Sequence, residues 1–465
     1  MRNLFNSAHS VAAFAGRLAG RAILASSLVL PFMAQPAQAQ QGRVAVIRDA
    51  EIETLLKDYA VPILKAAGLS RRGIEIVLVN DPSFNAFVAG RRIFINTGAI
   101  QSAETPNEII GVLAHEAGHL AGGHQQRLRE QMERARTMAI VGGLLGIGAM
   151  AAGSVAGSRS GTSAGGALVS AAPGIAMRGL LSYRRSEEKN ADQAAVKYLR
   201  ATKQSAKGML ATFERFSSSL ALAGVQVDPY QISHPLPRER IAMLETLAHE
   251  SPYFDKADPA ALMQRHQLAR AKVAAFSGGQ PAVARLFGRD RSSLAGRYGD
   301  AIATDLSGNS RAALGKMDEL VKAAPNNAYF HEFRGEILLK LRRPGDAANA
   351  FGRAMKLAND SSGLIRSRYA FALLSTGDPG NARKSVDNFR AAIQSDPDNL
   401  NAYLHLSQAY GLTGDIGNAD LAMAEGHFRA GSMREAQVFA ARALQRLPKG
   451  TPGARRANDI LSVAK

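Results

Sequence analysis

Hydrophobic and polar positions alternate with two periods in the first half of the chain. Over residues 43–70 a short strand-like run leads into a stretch where Leu55, Tyr59, Ile63 and Leu64 fall on one face, which predicts an amphipathic helix. Gly73-Ile-Glu-Ile-Val-Leu-Val-Asn80 and Arg92-Ile-Phe-Ile-Asn96 then read as strands. The segment Asn85–Gly90 separates them, with a turn expected at Gly90-Arg91. The result is a small antiparallel sheet, which either takes an extended peptide as an added strand or simply covers the next helix.

That helix is strongly marked. Thr105 and Glu108 have capping-box spacing, and Pro106 falls at the first helical position, where a missing N–H costs nothing. Ile109, Ile110, Val112, Leu113 and Leu120 make the helix largely apolar and therefore buried. A charged stretch, Gln125 to Arg136, follows it, and residues 138–157 then carry no charge at all. Twenty uncharged residues meet the length test for a membrane span. However, Gly142, Gly143, Gly146, Gly148 and Gly153 dilute the apolar character, and a weaker run recurs at Gly165–Met177. The expectation is a helical hairpin over 138–177 that covers the site or rests on a membrane surface, with an integral-membrane anchor as the rival. A third helix is expected from about Arg178 to Thr202.

Beyond Ser251 the chain becomes alanine-rich and helical, interrupted by a turn-rich patch at Phe276–Pro281. A period near 34 residues then emerges. Ala347, Phe351 and Ala354 have the A-x3-F-x2-A spacing of tetratricopeptide repeats, and Ser385, Phe389 and Ala392 echo it. Pro325 and Pro397 stand at repeat ends; Tyr403, Leu406, Tyr410 and Ala419 begin another unit, and Ala436, Ala440, Ala443 and Pro448 close a last one. Such helix pairs stack into a curved surface that binds peptide or a partner.

Composition changes this picture in three ways. At 465 residues and 46% apolar content, two or three domains with real cores are expected. The absence of cysteine excludes disulfides, thiolate metal sites and an acylated lipoprotein cysteine. Arg2, Arg17 and Arg21 precede the apolar run Ala22–Met33, and Ala37-Gln38-Ala39 offers a small-x-small cleavage site, the pattern of a secretory signal. Setting aside those three arginines lowers the net charge from +18 to +15. A basic balance of that size is compatible with an anionic membrane or acidic polypeptide but also with an ordinary solvated face; no nucleic-acid partner is expected.

The candidate chemistry lies in His115-Glu116-Ala117-Gly118-His119. Four residues apart on a helix, His115 and His119 share a face and can hold one metal ion, with Glu116 placed to act as general base. A buried helix with two imidazoles and a carboxylate needs partners for them. On the third helix Glu188 and Asp192 are also four apart, which lets one carboxylate bind metal while the other accepts a hydrogen bond from a ligand imidazole. His234, in Ser233-His234-Pro235, either reaches the metal edge to stabilise an oxyanion or fills the water position at rest, or is plain surface. Arg240 reads as an active-site cation or as a partner of Glu239 or Glu245. His124, nine residues beyond His115, falls on roughly the opposite arc of the helix, with Gly122-Gly123 intervening, and is left outside the site.

These motifs, together with Asn85-Ala-Phe87 before the strand and Arg185-Ser-Glu-Glu188-Lys-Asn-Ala-Asp192, resemble metallopeptidase family forty-eight, which includes HtpX and the CAAX prenyl protease; the soluble, secreted BepA-like branch has a similar layout. The resemblance covers roughly residues 45–250. It implies one zinc on His115, His119 and Glu188, Glu116 as base, Asp192 behind a ligand, His234 and Arg240 in catalysis, and Asn85 and Phe87 in substrate binding. One departure is Arg184, which stands in the serine position of the family pattern and keeps Glu187 as an alternative ligand.

The expected fold is mainly α: a zincin-type metallopeptidase domain with a small antiparallel β-sheet, followed by a tetratricopeptide solenoid. The expected division is 1–39 signal peptide, 40–250 peptidase, 251–293 helical linker and 294–465 repeats. The resemblance implies a periplasmic zinc endopeptidase acting on unfolded or misassembled polypeptides in outer-membrane quality control. Its repeats would dock substrate or outer-membrane assembly machinery, and 138–177 would make peripheral membrane contact. A non-proteolytic scaffold or chaperone with an idle metal site is the alternative, and an intact Glu116 argues against it.

Overall fold

The computed structural model describes residues 45–69, 73–155, 159–222, 234 and 238–463, and residues Ala45–Lys465 form one compact unit. Residues 1–39, where a signal peptide is expected, and Ser233 and Pro235 lie outside the described residues.

Strand β1 (Val46–Ile47) leads into helix α1 (Ala50–Ala66), which Asp49 caps by accepting from the Ile52 N–H at 2.9 Å. Leu55, Tyr59, Ile63 and Leu64 are its buried face. Strands β2 (Glu75–Val79), β3 (Ala86–Ala89) and β4 (Arg92–Asn96) complete a four-stranded sheet in the order β1-β2-β4-β3. The sheet is mixed rather than wholly antiparallel. β3 and β4 form the expected hairpin around Gly90, but β2 runs parallel to β4 in the register Leu78↔Ile95. The reason is that the segment carrying β3 crosses over and lies outside β4, which leaves β4 beside β2 in the same direction. Ile93 and Ile95 point from β4 into the core.

After the short helix α2 (Thr97–Ser102), helix α3 (Pro106–Gly122) runs through the middle of this domain, buried along almost its whole length. The Thr105–Glu108 capping box starts it: the Glu108 carboxylate accepts from the Thr105 N–H at 3.2 Å. Gly123 ends it in the left-handed conformation (φ 64), which glycine adopts without a Cβ clash. Helix α4 (His124–Val155) and helix α5 (Arg159–Ala201) then form a long hairpin, and the described residues of 138–177 lie on its two arms. No described helix is long and apolar enough to cross a membrane. Helices α6 (Lys207–Leu222) and α7 (Arg238–His249) close the domain.

Helix α8 (Ala260–Phe287) joins the two halves, with a kink at Gly279. Its Ala269 and Val273 belong to the core around α3, while Leu268, Ala271 and Ala274 belong to the next core. Five helix pairs follow, starting at Leu294, Ala328, Gly363, Leu400 and Met433 at spacings of 33 to 37 residues. This is a tetratricopeptide array: Ala347, Phe351 and Ala354, then Ser385, Phe389 and Ala392, are all fully buried between helices. Ala436, Ala440 and Ala443 open the final pair rather than closing one, because helix Pro452–Val463 packs behind them.

The array grips the start of α1. Lys272 of α8 pairs with Asp49 at 2.7 Å and Glu51 at 3.3 Å, and the Tyr298 hydroxyl donates to Glu51 at 3.0 Å. Arg48 reaches Asp396 at 2.9 Å, and Ala50 packs against Ala354 and Ile365.

Candidate active site

Three helices and one loop residue converge on a buried polar cluster. α3 contributes His115, Glu116 and His119; α5 contributes Glu187, Glu188 and Asp192; α7 contributes Arg240; and His234 enters from the connection between α6 and α7. Gly118 makes the approach of α3 to α5 possible, since a Cβ there would stand 2.9 Å from the Ala191 carbonyl oxygen.

Four side chains, His115, His119, Glu188 and His234, offer ligand atoms that all lie within 4.8 Å of one another. His115 Nε2 is 3.0 Å from His119 Nε2, 3.2 Å from His234 Nδ1 and 3.4 Å from Glu188 Oε2. His119 Nε2 is 3.4 Å from Glu188 Oε1, and His234 Nδ1 is 3.0 Å from Glu188 Oε2. A tetrahedral ion with bonds of about 2.0–2.1 Å holds its ligand atoms roughly 3.3 Å apart, near the 3.0–3.4 Å separations of these atoms, so these side chains could hold such an ion.

The protonation chemistry fits as well. Burial drives His119 and His234 downward, towards the neutral imidazole that ligates metal. Burial raises Glu188, but hydrogen bonds from His115, His119 and His234 outweigh it and hold the carboxyl well below its usual range. Burial also opposes protonation of His115, but its contacts with Asp192 and Glu188 lift it to about 10 without a cation between them. Glu116 is different: burial, opposed by the two imidazoles, raises it to about 7. Its Oε1 is buried and has no hydrogen-bond partner among the described residues; the nearest base, His234 Nε2, is 3.6 Å away.

Both α3 imidazoles have carboxylates behind them. His115 Nδ1 lies 2.9 Å from Asp192 Oδ1. Arg240 grips Asp192 with two hydrogen bonds of 2.8 and 2.9 Å and reaches Glu188 at 3.2 Å. Arg240 therefore bridges two carboxylates on α5, and not Glu239 or Glu245 as one expectation had it.

The second arm contains residues the sequence reasoning left out. His124 Nε2 lies 2.7 Å from Glu187, so that nitrogen donates. Burial lowers His124 to about 4, so the ring is neutral and its Nδ1 accepts. His119 Nδ1, 2.9 Å away, must then donate to it, which leaves His119 Nε2 bare for a cation. Arg127 completes the arm, donating to Glu187 at 2.8 Å. The sequence places His124 on roughly the opposite arc despite Gly122-Gly123; in the structure Gly123 ends α3 and folds His124 back onto the site. Glu187 is thus occupied by His124 and Arg127 and lies outside the four-residue cluster. Consecutive glycines before a histidine were the available signal.

Asn85 and Phe87 lie at the start of β3. Phe87 stacks on Phe94 at 4.9 Å between centroids, and Asn85 Oδ1 is buried without a hydrogen-bond partner among the described residues.

Comparison with known proteins agrees with this geometry. Residues 47–248 match the model of Peptidase family M48. The chain is 22% identical over 407 residues to the beta-barrel assembly-enhancing protease of Escherichia coli (strain K12), covering 85% of this chain and 79% of that one. It is 23% identical over 350 residues to the protein of the same name from Yersinia pestis, covering 74% and 69%. A solved structure described as YrrB, a TPR protein with an unusual peptide-binding site, is 18% identical, covers 38% of this chain and 91% of that one, and has a TM-score of 0.31. The matched stretch contains every residue of the cluster, so the part of the chain that is similar to Peptidase family M48 is the part that carries the site.

Proposed function

We propose that the protein is a zinc-dependent endopeptidase that cleaves unfolded or misassembled polypeptides in the periplasm. The observation that carries the reading is the set of four converging donor atoms with the buried Glu116 Oε1, which has no hydrogen-bond partner among the described residues, beside it. His115, His119 and Glu188 would hold the zinc, whose Lewis acidity polarises the scissile carbonyl and acidifies a water.

The chain's own residues do the rest. Glu116, buried and raised towards neutrality, takes the proton of the attacking water and delivers it to the departing amine. Asp192 and the His124–Glu187 pair keep both ligand imidazoles in the tautomer that presents Nε2. Arg240 holds Asp192 and Glu188 in register. His234 Nδ1, 3.2 Å from His115 Nε2 and 3.0 Å from Glu188 Oε2, would be a fourth donor to the ion and would have to withdraw for substrate to enter. The free edge of β3 receives substrate as an added strand; the unpartnered Asn85 Oδ1 and the stacked Phe87 supply an acceptor and an apolar platform there.

A division into signal peptide 1–39, peptidase domain 40–250, linker 251–293 and repeats 294–465 accompanies this reading. The relatives' name, beta-barrel assembly-enhancing protease, supports a place in outer-membrane protein quality control, with the repeats docking substrate or assembly machinery. Leu144 and Leu145, 64% and 65% exposed on α4, support peripheral membrane contact through the hairpin.

The test is cleavage of unfolded casein by the purified protein and by Glu116→Gln, each with and without chelator and zinc re-addition. The reading expects cleavage that chelator abolishes, zinc restores and Glu116→Gln lacks. Equal cleavage by both proteins refutes it.

A further inference from the structure

The free edge of β3, although unpaired by any described strand, is not open. In the β3–β4 hairpin the Asn85 carbonyl accepts from Asn96, so Asn85, Phe87 and Ala89 direct their main-chain groups at β4. By the two-residue alternation of a strand Val88 directs its groups outward, and Gly90, in the turn that follows β3 (φ 61), presents its N–H on the same side. Both outward groups are taken by a single side chain. The Gly90 N–H donates to Gln125 Oε1 at 3.2 Å, and Gln125 Nε2 donates to the Val88 carbonyl oxygen. One primary carboxamide thus supplies the acceptor and the donor that a neighbouring strand would offer to these two groups.

The position of Gln125 links this edge to the metal site. Gln125 and His124 are consecutive at the start of α4; His124 reaches the ligand His119 at 2.9 Å while Gln125 reaches β3. A polypeptide lying on the Val88–Gly90 edge therefore passes within two side-chain lengths of His119. Gln125 is half-buried and at a helix start, where a rotamer change frees the edge without moving the backbone.

We propose that the Gln125 carboxamide is an internal stand-in for a substrate peptide group, so that an extended polypeptide pairs with β3 only by displacing it. This rests on the endopeptidase reading above. The class of ligand is the main chain of an extended polypeptide, whatever its sequence, because the groups that Gln125 covers are themselves main chain. Gln125 is a positioning residue: it competes with substrate for the edge and touches no reacting atom. A well-formed strand, offering several hydrogen bonds, displaces the two made by Gln125, whereas a short or folded segment does not. Selection for extended, unfolded chains follows.

The experiment compares the zinc-loaded protein with Gln125→Ala and Gln125→Glu on a fluorescence-quenched peptide of casein sequence. Either variant loses the donor to Val88, and KM is expected to fall about three- to tenfold, the worth of about one net hydrogen bond, with kcat and zinc content unchanged. A KM that rises or stays constant overturns the proposal, because Gln125 would then assist substrate or merely tie α4 to the sheet. Hydrogen exchange at the Gly90 amide gives a readout independent of activity. Exchange is expected to be slow in the parent and faster in Gln125→Ala, with protection restored when the peptide is added to Gln125→Ala in a Glu116→Gln background. Gly90 exchange unaffected by Gln125→Ala overturns the clasp. Loss of cleavage in all proteins, the parent included, would count against the endopeptidase reading, while the exchange result would still decide the clasp.

Discussion

His119 and His124 meet nitrogen to nitrogen at 2.9 Å, and the carboxylate of Glu187 behind His124 decides which of the two carries the proton. The ligand's basicity thus depends on a residue that supplies no ligand atom. Changing His124→Ala should weaken zinc binding about 10- to 100-fold, measured by competition with a chromogenic chelator. Glu187→Gln should cost less, because its amide oxygen still accepts from His124. Parental zinc affinity in His124→Ala would mean that this arm has no part in the site.

Gly118 tests the approach of the two helices without touching a polar group. The added methyl of Gly118→Ala meets the Ala191 carbonyl oxygen at 2.9 Å and forces α3 away from α5, separating His115 and His119 from Glu188. Overpacking of this kind costs about 1–3 kcal/mol. Thermal unfolding should show a lower Tm, and chelator competition a lower zinc affinity, although no ligand has changed. Unaltered values for both would place the ligand-bearing helices further apart than described.

The contact between the repeats and α1 carries a pH dependence. Burial raises Glu332 to about 8 from 4.5, opposed by Lys272 and Arg368 and aided by Asp49 and Glu336; burial also raises Glu51. Burial pulls Lys272 down, but Asp49, Tyr298, Glu51 and Glu332 hold it well above its usual value. A carboxyl whose folded pKa is raised binds more protons folded than unfolded, so its contribution is fully present below about 4.5 and is lost as pH rises through about 8. Tm should therefore fall between pH 6 and pH 9, and Glu332→Gln, a neutral isostere, should flatten that fall and exceed the parent at the alkaline end. Parallel Tm curves for the two proteins would contradict this account.

Elements whose cause is local were legible in the chain. The Thr105–Glu108 capping box and Pro106 fix where α3 begins, and the four-residue spacing fixes His115 and His119 on one face. The repeat spacing located Phe351 and Phe389 as core because each helix pair repeats the same packing problem. What stayed hidden depends on where separate segments meet. The parallel β2–β4 pairing follows from a crossover whose handedness no local pattern records. The placement of His124 turned on a single left-handed glycine, and the bridging of Asp192 and Glu188 by Arg240 on helix packing across 48 residues of chain. Likewise, nothing in the stretch Gln125–Arg136 marks Gln125 as the cover of a strand edge 35 residues earlier.

The most direct check of the central claim is diffraction from zinc-loaded crystals at energies just above and below the zinc absorption edge. One anomalous peak per chain is expected among His115 Nε2, His119 Nε2 and the Glu188 carboxylate, present above the edge and absent below it. No peak there, or a peak coordinated by Glu187 in place of Glu188, would contradict the account.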